Sequence, residues 1–493
     1  MSQPAAEVDR RRSEHSKLRR ELGRIDAICF LIAAIVVLDT LGAVARGGAQ
    51  TLVWLAFVSA LFFVPAGLVI SELGTAFPYE GGPYVWARMA FGRLAGSLVA
   101  LIYWIETPVW IGGSLAITGT AAVDRLIVPV DGAWRLAFVF VFIWLTIALA
   151  SAPLHIGKWI PATCAVVQVV LLAFFTLTVG IYAAQHGVHG VETGDLAPSW
   201  AVFIVAAPVL VYNFIGFELP STAAEEMRDP QRDIPAAIAR AGALTAVLYC
   251  IPILAIVLVL PPGDITSLTG FIDALASVFV VYGPAADAVG AAAAAAFVWV
   301  LFTNGLTWVI GSSRTQVAAS LDGAAPRALG AISERTGTPV RATVVAGVVS
   351  TLTAAATFTV AGNSNAKYFS VVLTLSIALL ALASLPVFAA LARLRRSHPG
   401  VHRPFRVPGG HAGAWIASAL ATGWCALAFA AILWPGLGAA NSDAYLPEGF
   451  AGDRFGFFLV ELIPIAAILI GAVAFAGLGR RGERPGRPAR ATS

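Results

Sequence analysis

Long runs of apolar residues alternate with short polar stretches along the chain between residues 27 and 477. A helix needs about 20 apolar residues to cross the roughly 30 Å hydrocarbon core of a bilayer. Isolated backbone groups in lipid must be satisfied within their own segment, which only a helix achieves in runs of this length. The pattern therefore predicts an all-α membrane protein with twelve transmembrane helices. To within a few residues the predicted spans are 27–45, 51–71, 95–123, 136–154, 160–184, 199–217, 238–261, 285–311, 342–361, 368–392, 413–437 and 455–477.

The composition supports this prediction and excludes a water-soluble protein. Hydrophobic residues make up 58% of the chain and charged residues only 12%. A soluble domain carries about 25% charged residues, because it needs them to cover its surface. The polar stretches between the spans are short, so we expect no attached soluble domain.

The basic residues predict the orientation of the spans. An even number of spans places both termini on one side of the membrane. If that side is the cytoplasm, all but five of the 32 Lys and Arg residues lie inside, as the positive-inside rule requires. The net charge of +4 then fits contact with anionic lipid and needs no nucleic-acid partner. Only three of the basic residues are Lys, which together with the abundant Ala and Gly indicates a GC-rich bacterial genome. We therefore expect the protein in the bacterial plasma (inner) membrane. The five basic residues on the outside are Arg46, Arg125, Arg135, Lys367 and Arg454.

The first and the sixth predicted spans each carry a polar or glycine-containing patch halfway along. Gly weakens a helix, and Pro removes a backbone donor and clashes with the preceding turn. We therefore expect both helices to be interrupted, the sixth just before Pro220. The patches consist of Asp39, Thr40 and Gly42 in the first span and of Asn213, Gly216, Glu218 and Pro220 in the sixth.

These two interruptions predict a binding site at the middle of the membrane. Spans one and six correspond to each other if the chain is built as five spans repeated in inverted orientation, and such a pair of interrupted helices indicates a transporter's substrate site. The exposed half-helix ends carry partial charges of about half a unit, which suit the carboxylate and the amine of an amino acid. The alternative is that these glycines serve only the close packing of helices.

Four segments resemble permeases of the amino acid–polyamine–organocation superfamily. Residues 72–93, ELGTAFPYEGGPYVWARMAFGR, are similar to the loop after span two of these proteins. Residues 213–238, NFIGFELPSTAAEEMRDPQRDIPAAI, resemble their sixth span and the loop that follows it. Residues 312–340 and the string RPFRVPGG at 403–410 are similar to the loops after spans eight and ten.

The resemblance implies a five-plus-five inverted repeat of the leucine-transporter type, with discontinuous first and sixth helices. A ten-helix transport core would then occupy residues 25–393, and two peripheral helices would occupy residues 394–478. Cytoplasmic basic tails are expected at 1–24 and 479–493.

The resemblance also implies which residues bind substrate, with one departure from the family pattern. These permeases usually carry a Gly-Ser-Gly type patch in the first span, where the substrate carboxylate binds. Here Asp39 opens the corresponding stretch, and its charge would repel a carboxylate. This departure favours a cationic substrate, or an acid that is protonated during binding. The expected substrate-binding residues are Asp39, Thr40, Gly42, Glu106, Tyr212, Asn213, Ile215, Gly216 and Trp308.

Three carboxyl groups lie deep in predicted spans, on Asp39, Glu106 and Glu218. Each costs about 2.5–3.5 kcal/mol to place at mid-membrane, so such residues usually face a cavity. By the resemblance, we expect Glu218 to couple transport to protons, Glu106 to pair with a substrate cation, and Asp39 to serve either purpose. The alternatives are a helix-end acid bonded to loop donors for Glu218 and a packing hydrogen bond for Glu106. A fourth acid, Glu461 in span twelve, is expected to reach the interface without a function.

The chain is therefore expected to be a secondary active transporter rather than an enzyme. No HExxH, GxSxG or Walker A motif occurs, so we expect no metal, cofactor or ATP-driven step. The predicted function is alternating-access transport of amino acids, including cationic amino acids or polyamines, with proton coupling or exchange. The alternative is a substrate sensor or channel-like protein. Sodium coupling through Ser312 and Ser313 and assembly into a homo-oligomer stay open.

Overall fold

A computed structural model describes residues 23–153, 159–362 and 364–481. Within these residues the regular structure is helical and includes no β-strand. Nearly all of the two predicted basic tails lies outside the described residues. The helices are α1 (Arg24–Ile35), α2 (Leu41–Ala45), α3 (Gln50–Ala76), α4 (Gly82–Phe91), α5 (Arg93–Leu126), α6 (Gly132–Ala150), α7 (Trp159–His186), α8 (Trp200–Asn213), α9 (Pro230–Val259), α10 (Gly270–Val278), α11 (Ala286–Leu321), α12 (Val340–Ala361), α13 (Asn365–Ser397), α14 (Gly410–Leu433) and α15 (Arg454–Arg481).

Ten helical stretches in the described part of the chain are long and apolar enough to cross a membrane. They are α3, α5, α6, α7, α9, α12, α13, α14, α15 and the stretch Gly270–Leu321, which joins α10 to α11. The helix α8 is apolar but shorter. The protein is therefore an all-helical, multi-pass membrane protein.

The most buried spans are α5 and α13. The most apolar stretch of each is 78% and 83% buried inside the protein, compared with 22% for α15 and 33% for α6 and α12. Because lipid is as apolar as a protein interior, exposed apolar side chains on the outer helices need no partner. The two helices at the centre are therefore the ones expected to carry functional side chains.

The first interruption separates α1 from α2. Residues 36–40 are not helical, so the last carbonyls of α1 have no partner within their own helix. Tyr249 on α9 satisfies both sides of the gap. Its hydroxyl donates to Ile35 O at 2.7 Å and accepts from Val37 N at 2.8 Å.

Three further side chains cap the end of α1. The indole Nε1 of Trp308 donates to Ala34 O at 2.9 Å, and Nδ2 of Asn304 donates to Val36 O at 3.1 Å. The amide of Gln168 also donates to Val36 O. The end of α1 is thus fixed by helices from distant parts of the chain.

Replacing Tyr249 by Phe should destabilise this interruption. The change removes one hydroxyl and leaves Ile35 O and Val37 N buried without that partner, at a cost of about 1–3 kcal/mol for each group. We expect a lower midpoint of thermal unfolding for the purified protein. Tyr79→Phe is the matched control, because the Tyr79 side chain is 52% exposed. Equal unfolding midpoints for the two variants would contradict the role of the hydroxyl.

The second interruption follows α8 and precedes Pro220, as predicted, but it begins several residues earlier than expected, and Pro220 does not cause it. The helix ends at Asn213, residues 214–218 follow without regular helix, and a 3₁₀ helix occupies Leu219–Glu226. Pro220 lies in the first turn of this 3₁₀ helix, where its missing donor costs nothing. The break is instead set by Gly216, whose φ of +138° favours glycine.

Gly42 lies inside α2 and not in the interruption, which corrects the expectation that it forms the substrate-binding break. A Cβ atom there would lie 2.6 Å from Thr266 O and 2.8 Å from Ser267 O. Glycine is therefore needed at this position because α2 packs closely against the segment before α10.

Ion pairs join helices at the end of the bundle where α1 begins, which we call the Arg24 end. Arg24 Nε lies 2.9 Å from Asp233 Oδ1 and connects α1 to α9. Glu72 at the end of α3 is fully buried and pairs with Arg395 on α13. These contacts fix the positions of α1, α3, α9 and α13 at this end.

The opposite end, which we call the Arg46 end, is covered by the loop 434–453 between α14 and α15. Arg46 Nη1, directly after α2, lies 2.9 Å from Glu448 Oε1 in this loop. Ser267 Oγ also donates to Glu448 Oε1, at 3.4 Å. The loop is thus tied to α2 and to the segment before α10.

Candidate functional site

Asp39 lies in the first interruption and is turned towards α5. Its side chain is buried, and Oδ2 accepts a hydrogen bond from Trp110 Nε1 at 3.0 Å and another from the hydroxyl of Ser114. The other oxygen, Oδ1, has no partner among the described residues. Asp39 therefore offers one free acceptor inside the protein.

Glu106 lies on α5, one helical turn before Trp110. It is buried, and Oε1 accepts a hydrogen bond from the hydroxyl of Tyr212 at 3.2 Å. Tyr212 stands in the last turn of α8, directly before the second interruption. Glu106 is therefore placed beside both interruptions, since α5 also carries the two side chains that hold Asp39.

The two interruptions are joined directly by Thr40 and Asn213. The hydroxyl Oγ1 of Thr40 lies 3.0 Å from Asn213 Oδ1 and 3.1 Å from Val37 O. The amide Nδ2 of Asn213 is buried without a hydrogen-bond partner in the described part of the chain. The site thus also contains an unpaired donor, on the residue that contacts the chain neighbour of Asp39.

Glu218 is the last residue of the second interruption. Its Oε1 accepts from the hydroxyl of Tyr103 on α5 at 2.8 Å, and its Oε2 accepts from Gly216 N at 3.2 Å. The carboxyl group therefore connects the non-helical backbone after α8 to the central helix α5, so a change of its charge acts directly on the interruption.

Trp308 packs between the groups that hold Asp39 and Glu218. Its ring centroid lies 5.7 Å from that of Tyr103 and 6.3 Å from that of Trp110. A Cβ atom on Gly216 would come within 3.6 Å of the Trp308 ring. An aromatic ring therefore lies against both interruptions and between two of the three acids.

The three acids have no basic partner in the part of the chain that the structure describes. Across residues 23–153, 159–362 and 364–481, Asp39, Glu106 and Glu218 take part in no ion pair. A buried charge without a partner is costly, so such groups bind a proton or a cation. The site is thus acidic and has capacity for a positive charge.

The structure brings together most of the side chains that the sequence singled out. Asp39, Thr40, Glu106, Tyr212, Asn213, Gly216, Glu218 and Trp308 belong to one set of contacts. Gly42 lies outside this set. Ile215 is buried, and its backbone amide donates to Tyr212 O at 3.1 Å, so it belongs to the backbone of the second interruption.

The sequence reasoning missed the contribution of α5. Tyr103, Trp110 and Ser114 hold Glu218 and Asp39. Tyr103 lies three residues before Glu106, and Trp110 and Ser114 lie four and eight residues after it, which places all four on one face of the helix. This spacing could have been recognised in the sequence. A π-helical turn at Ile111–Leu115 also falls here, as such turns often do at functional sites.

An all-helical membrane protein with paired helix interruptions around buried acids belongs to the class of membrane transport proteins. The amino acid permease family matches residues 22–446, and the chain belongs to this family. This confirms the resemblance to amino acid–polyamine–organocation permeases and the prediction of an integral membrane transport protein, and it places the chain among transporters rather than enzymes.

Curated relatives cover most of the chain. A Lactococcus lactis protein with the name Probable agmatine/putrescine antiporter AguD is 27% identical over 398 residues, which cover 79% of this chain and 83% of the relative. An uncharacterized transporter of Legionella pneumophila is 29% identical over 417 residues, or 80% and 85% of the two chains. An uncharacterized transporter of Mycobacterium tuberculosis is 28% identical over 372 residues, or 73% and 79%.

Proposed function

We propose that the protein is a secondary active transporter that exchanges cationic amines across the bacterial plasma membrane by alternating access. The observation that carries this proposal is the group of three buried acids around the paired interruptions, which form no ion pair with any described residue. A substrate with two amino groups would supply the missing positive charge. The name of the Lactococcus relative, which specifies agmatine and putrescine, agrees with this chemistry.

The proposal includes twelve transmembrane helices arranged as a five-plus-five inverted repeat. The ten long spans become twelve if α1 with α2 forms the first span and α8 with the following 3₁₀ helix forms the sixth. Neither the first nor the sixth span is a continuous helix, so each consists of helical pieces that are individually shorter than a membrane span. The transport core would then occupy residues 25–393, with α14 and α15 as peripheral helices and both termini in the cytoplasm.

The contacts at the end of α1 favour an amine with two cationic groups over a neutral amino acid. The carbonyls of Ala34, Ile35 and Val36, which could have bound a substrate amine, are already capped by protein side chains. The free Oδ1 of Asp39 and the carboxyl of Glu106 remain as acceptors. Two acceptors for amines are therefore available without breaking the caps.

A cationic amino acid is the second candidate substrate. The observation in its favour is the buried, unpaired Nδ2 of Asn213, which could donate to a carboxylate. The nearby charge of Asp39 opposes such a carboxylate, so we rank this substrate below the amines.

Counterflow in proteoliposomes tests the function. Vesicles loaded with unlabelled putrescine should accumulate labelled agmatine in a saturable manner, and external putrescine should compete. Lysine or arginine as the better competitor would select the second candidate. Flux without saturation or counterflow would indicate a channel, and binding without flux would indicate a sensor. Either of the last two results would contradict the proposal.

Glu218→Gln should abolish the dependence of net uptake on a pH gradient while counterflow persists. Glutamine keeps an oxygen for the Tyr103 hydroxyl but cannot bind a proton at that position. Uptake by the wild type and the variant is measured with and without an imposed pH gradient. If Tyr103 acts through Glu218, Tyr103→Phe should have no further effect on pH dependence in the variant. An unchanged response to the gradient would remove Glu218 from the coupling mechanism.

A further inference from the structure

Glu461 on α15 is buried, which corrects the expectation that it reaches the membrane interface. Its side chain is 1% exposed, whereas its neighbours Leu462 and Ile463 are 45% and 60% exposed and face outward. Glu461 Oε1 is bonded to the hydroxyl of Thr374 on α13, and Oε2 has no hydrogen-bond partner among the described residues. Glu461 is thus a further buried acid that forms no ion pair within the described residues, and it lies outside the site described above.

The hydroxyl of Thr374 has more acceptors around it than it can serve. Oγ1 lies 2.8 Å from Ser370 O and 3.2 Å from Val371 O, and it also contacts Glu461 Oε1. A threonine hydroxyl carries only one hydrogen. An ionised Glu461 takes that hydrogen, whereas a protonated Glu461 donates its own and leaves the threonine free to bond Ser370 O. The contact therefore has one arrangement for each protonation state.

Thr374 separates Glu461 from a cavity at the Arg46 end. This cavity has a volume of about 350 Å³ and lies between α2, α8, α13, α14 and the loop 434–453. Thr374 and Ser370 line it, together with Arg46 and Glu448, but Glu461 does not. Most of its lining is apolar, but Arg46, Ser370, Thr374 and Glu448 form a polar part, and the volume has room for several water molecules beside them. The threonine hydroxyl is thus the connection between the cavity and the buried carboxyl.

Glu461 takes part in no ion pair within the described residues. The helices packed against α15 are α5, α13 and α14. Near this end of α13, Lys367 is two turns from Thr374, and its Nζ lies 4.7 Å from the ring centre of Phe450. The charged or titratable groups on these helices, on the adjoining loop and on the rest of α15 as far as residue 478 are Arg93, Tyr103, Glu106, Asp124 and Arg125; Lys367, Tyr368, Arg393, Arg395 and Arg396; His411 and Cys425; Asp443, Tyr445, Glu448, Asp453 and Arg454. Arg480 and Arg481 follow in the last turn of α15, about five turns beyond Glu461.

We propose that Glu461 is a proton-binding site, separate from Glu218, which exchanges one proton with water in the cavity through the Thr374 hydroxyl. On protonation, Thr374 Oγ1 passes its hydrogen to Glu461 Oε1 and takes one from a hydronium ion in the cavity. The carboxylate becomes a neutral acid, the hydroxyl is restored and one water molecule remains. The geometry also places this site between the transport core and a peripheral helix, so its charge acts on the contact of α13 with α15.

Infrared difference spectroscopy of the full chain in lipid nanodiscs tests this site without any transport measurement. Spectra are recorded at a series of pH values for the wild type and for Glu461→Gln. We expect the wild type to show a protonated-carboxyl band that grows as the pH falls and that the variant lacks. Identical spectra for the two proteins would overturn the proposal. Failure of the proposed substrate would leave this result unaffected.

A pair of Thr374 variants tests the pathway and does not depend on the folding of Glu461→Gln. On transfer to D₂O, the Glu461 band should shift more slowly in Thr374→Val, which lacks the hydroxyl, than in the wild type. Thr374→Ser is the matched control, since it keeps the hydroxyl, and it should exchange as the wild type does. Exchange in Thr374→Val at the wild-type rate would overturn the role of Thr374.

Discussion

Glu106→Gln should weaken the binding of putrescine by about tenfold to hundredfold. A hydrogen bond to a charged group contributes about 1.5–3 kcal/mol, and each 1.4 kcal/mol is about a factor of ten in affinity. Glutamine keeps the size of the side chain and an acceptor for Tyr212. The loss of putrescine affinity therefore measures the contribution of the carboxylate charge. Binding is measured by calorimetry on the purified protein at constant pH.

The matched control for this prediction is Glu192→Gln. Glu192 is exposed in the loop before α8, so the same change in charge at this position should leave putrescine affinity unchanged. If Glu106→Gln binds putrescine as tightly as the wild type does, the pairing of Glu106 with a substrate cation is wrong, and the packing hydrogen bond to Tyr212 is its whole role.

Gly216→Ala should reduce both the stability of the protein and its transport. At a φ of +138°, a residue other than glycine costs about 1–3 kcal/mol. The added Cβ would also lie 3.0 Å from Cγ1 of Ile35, the last residue of α1. This contact is tight, so the backbone around Gly216 would have to move away from the end of α1. We expect a lower midpoint of thermal unfolding and a counterflow rate reduced by at least about tenfold, because about 1.4 kcal/mol in the transport barrier already gives that factor.

Two further variants separate the causes of this loss. Gly362→Ala is a control at a positive φ of +59° with open space around the position, so it carries only the backbone cost. Combining Gly216→Ala with Ile35→Ala removes the Cγ1 atom that the added Cβ would contact, and it should restore part of the transport. Equal transport by Gly216→Ala and the wild type would show that the two interruptions need not stay in contact.

The apolar pattern predicted the long spans because the bilayer imposes a minimum length and leaves the backbone no partner but its own helix. The same pattern predicted that the first and sixth spans contain polar patches, and the chain is not helical at 36–40 and at 214–218. The cause and the first residue of the second break were not predicted, because Pro220 is tolerated at a helix start, whereas Gly216 adopts a backbone conformation that only the structure reveals.

The contacts that hold the site were less accessible to sequence reasoning. Tyr249 and Trp308 are separated from the end of α1 by more than 200 positions, and no local pattern predicts such pairs. Tyr103 and Trp110 could have been found, since they share a helix face with Glu106. The expectation that Glu461 reaches the interface was wrong because it rested only on the short distance from this residue to the end of its span. The side chain points towards Thr374 on α13, and the sequence does not reveal this direction.

The most direct test is the structure of the protein with bound putrescine, determined in lipid nanodiscs. The proposal predicts ligand density at the meeting point of the two interruptions, with one amino group beside the free Oδ1 of Asp39 and the other beside Glu106. Density elsewhere in the bundle, or an empty site under conditions in which counterflow is saturated, would contradict the account.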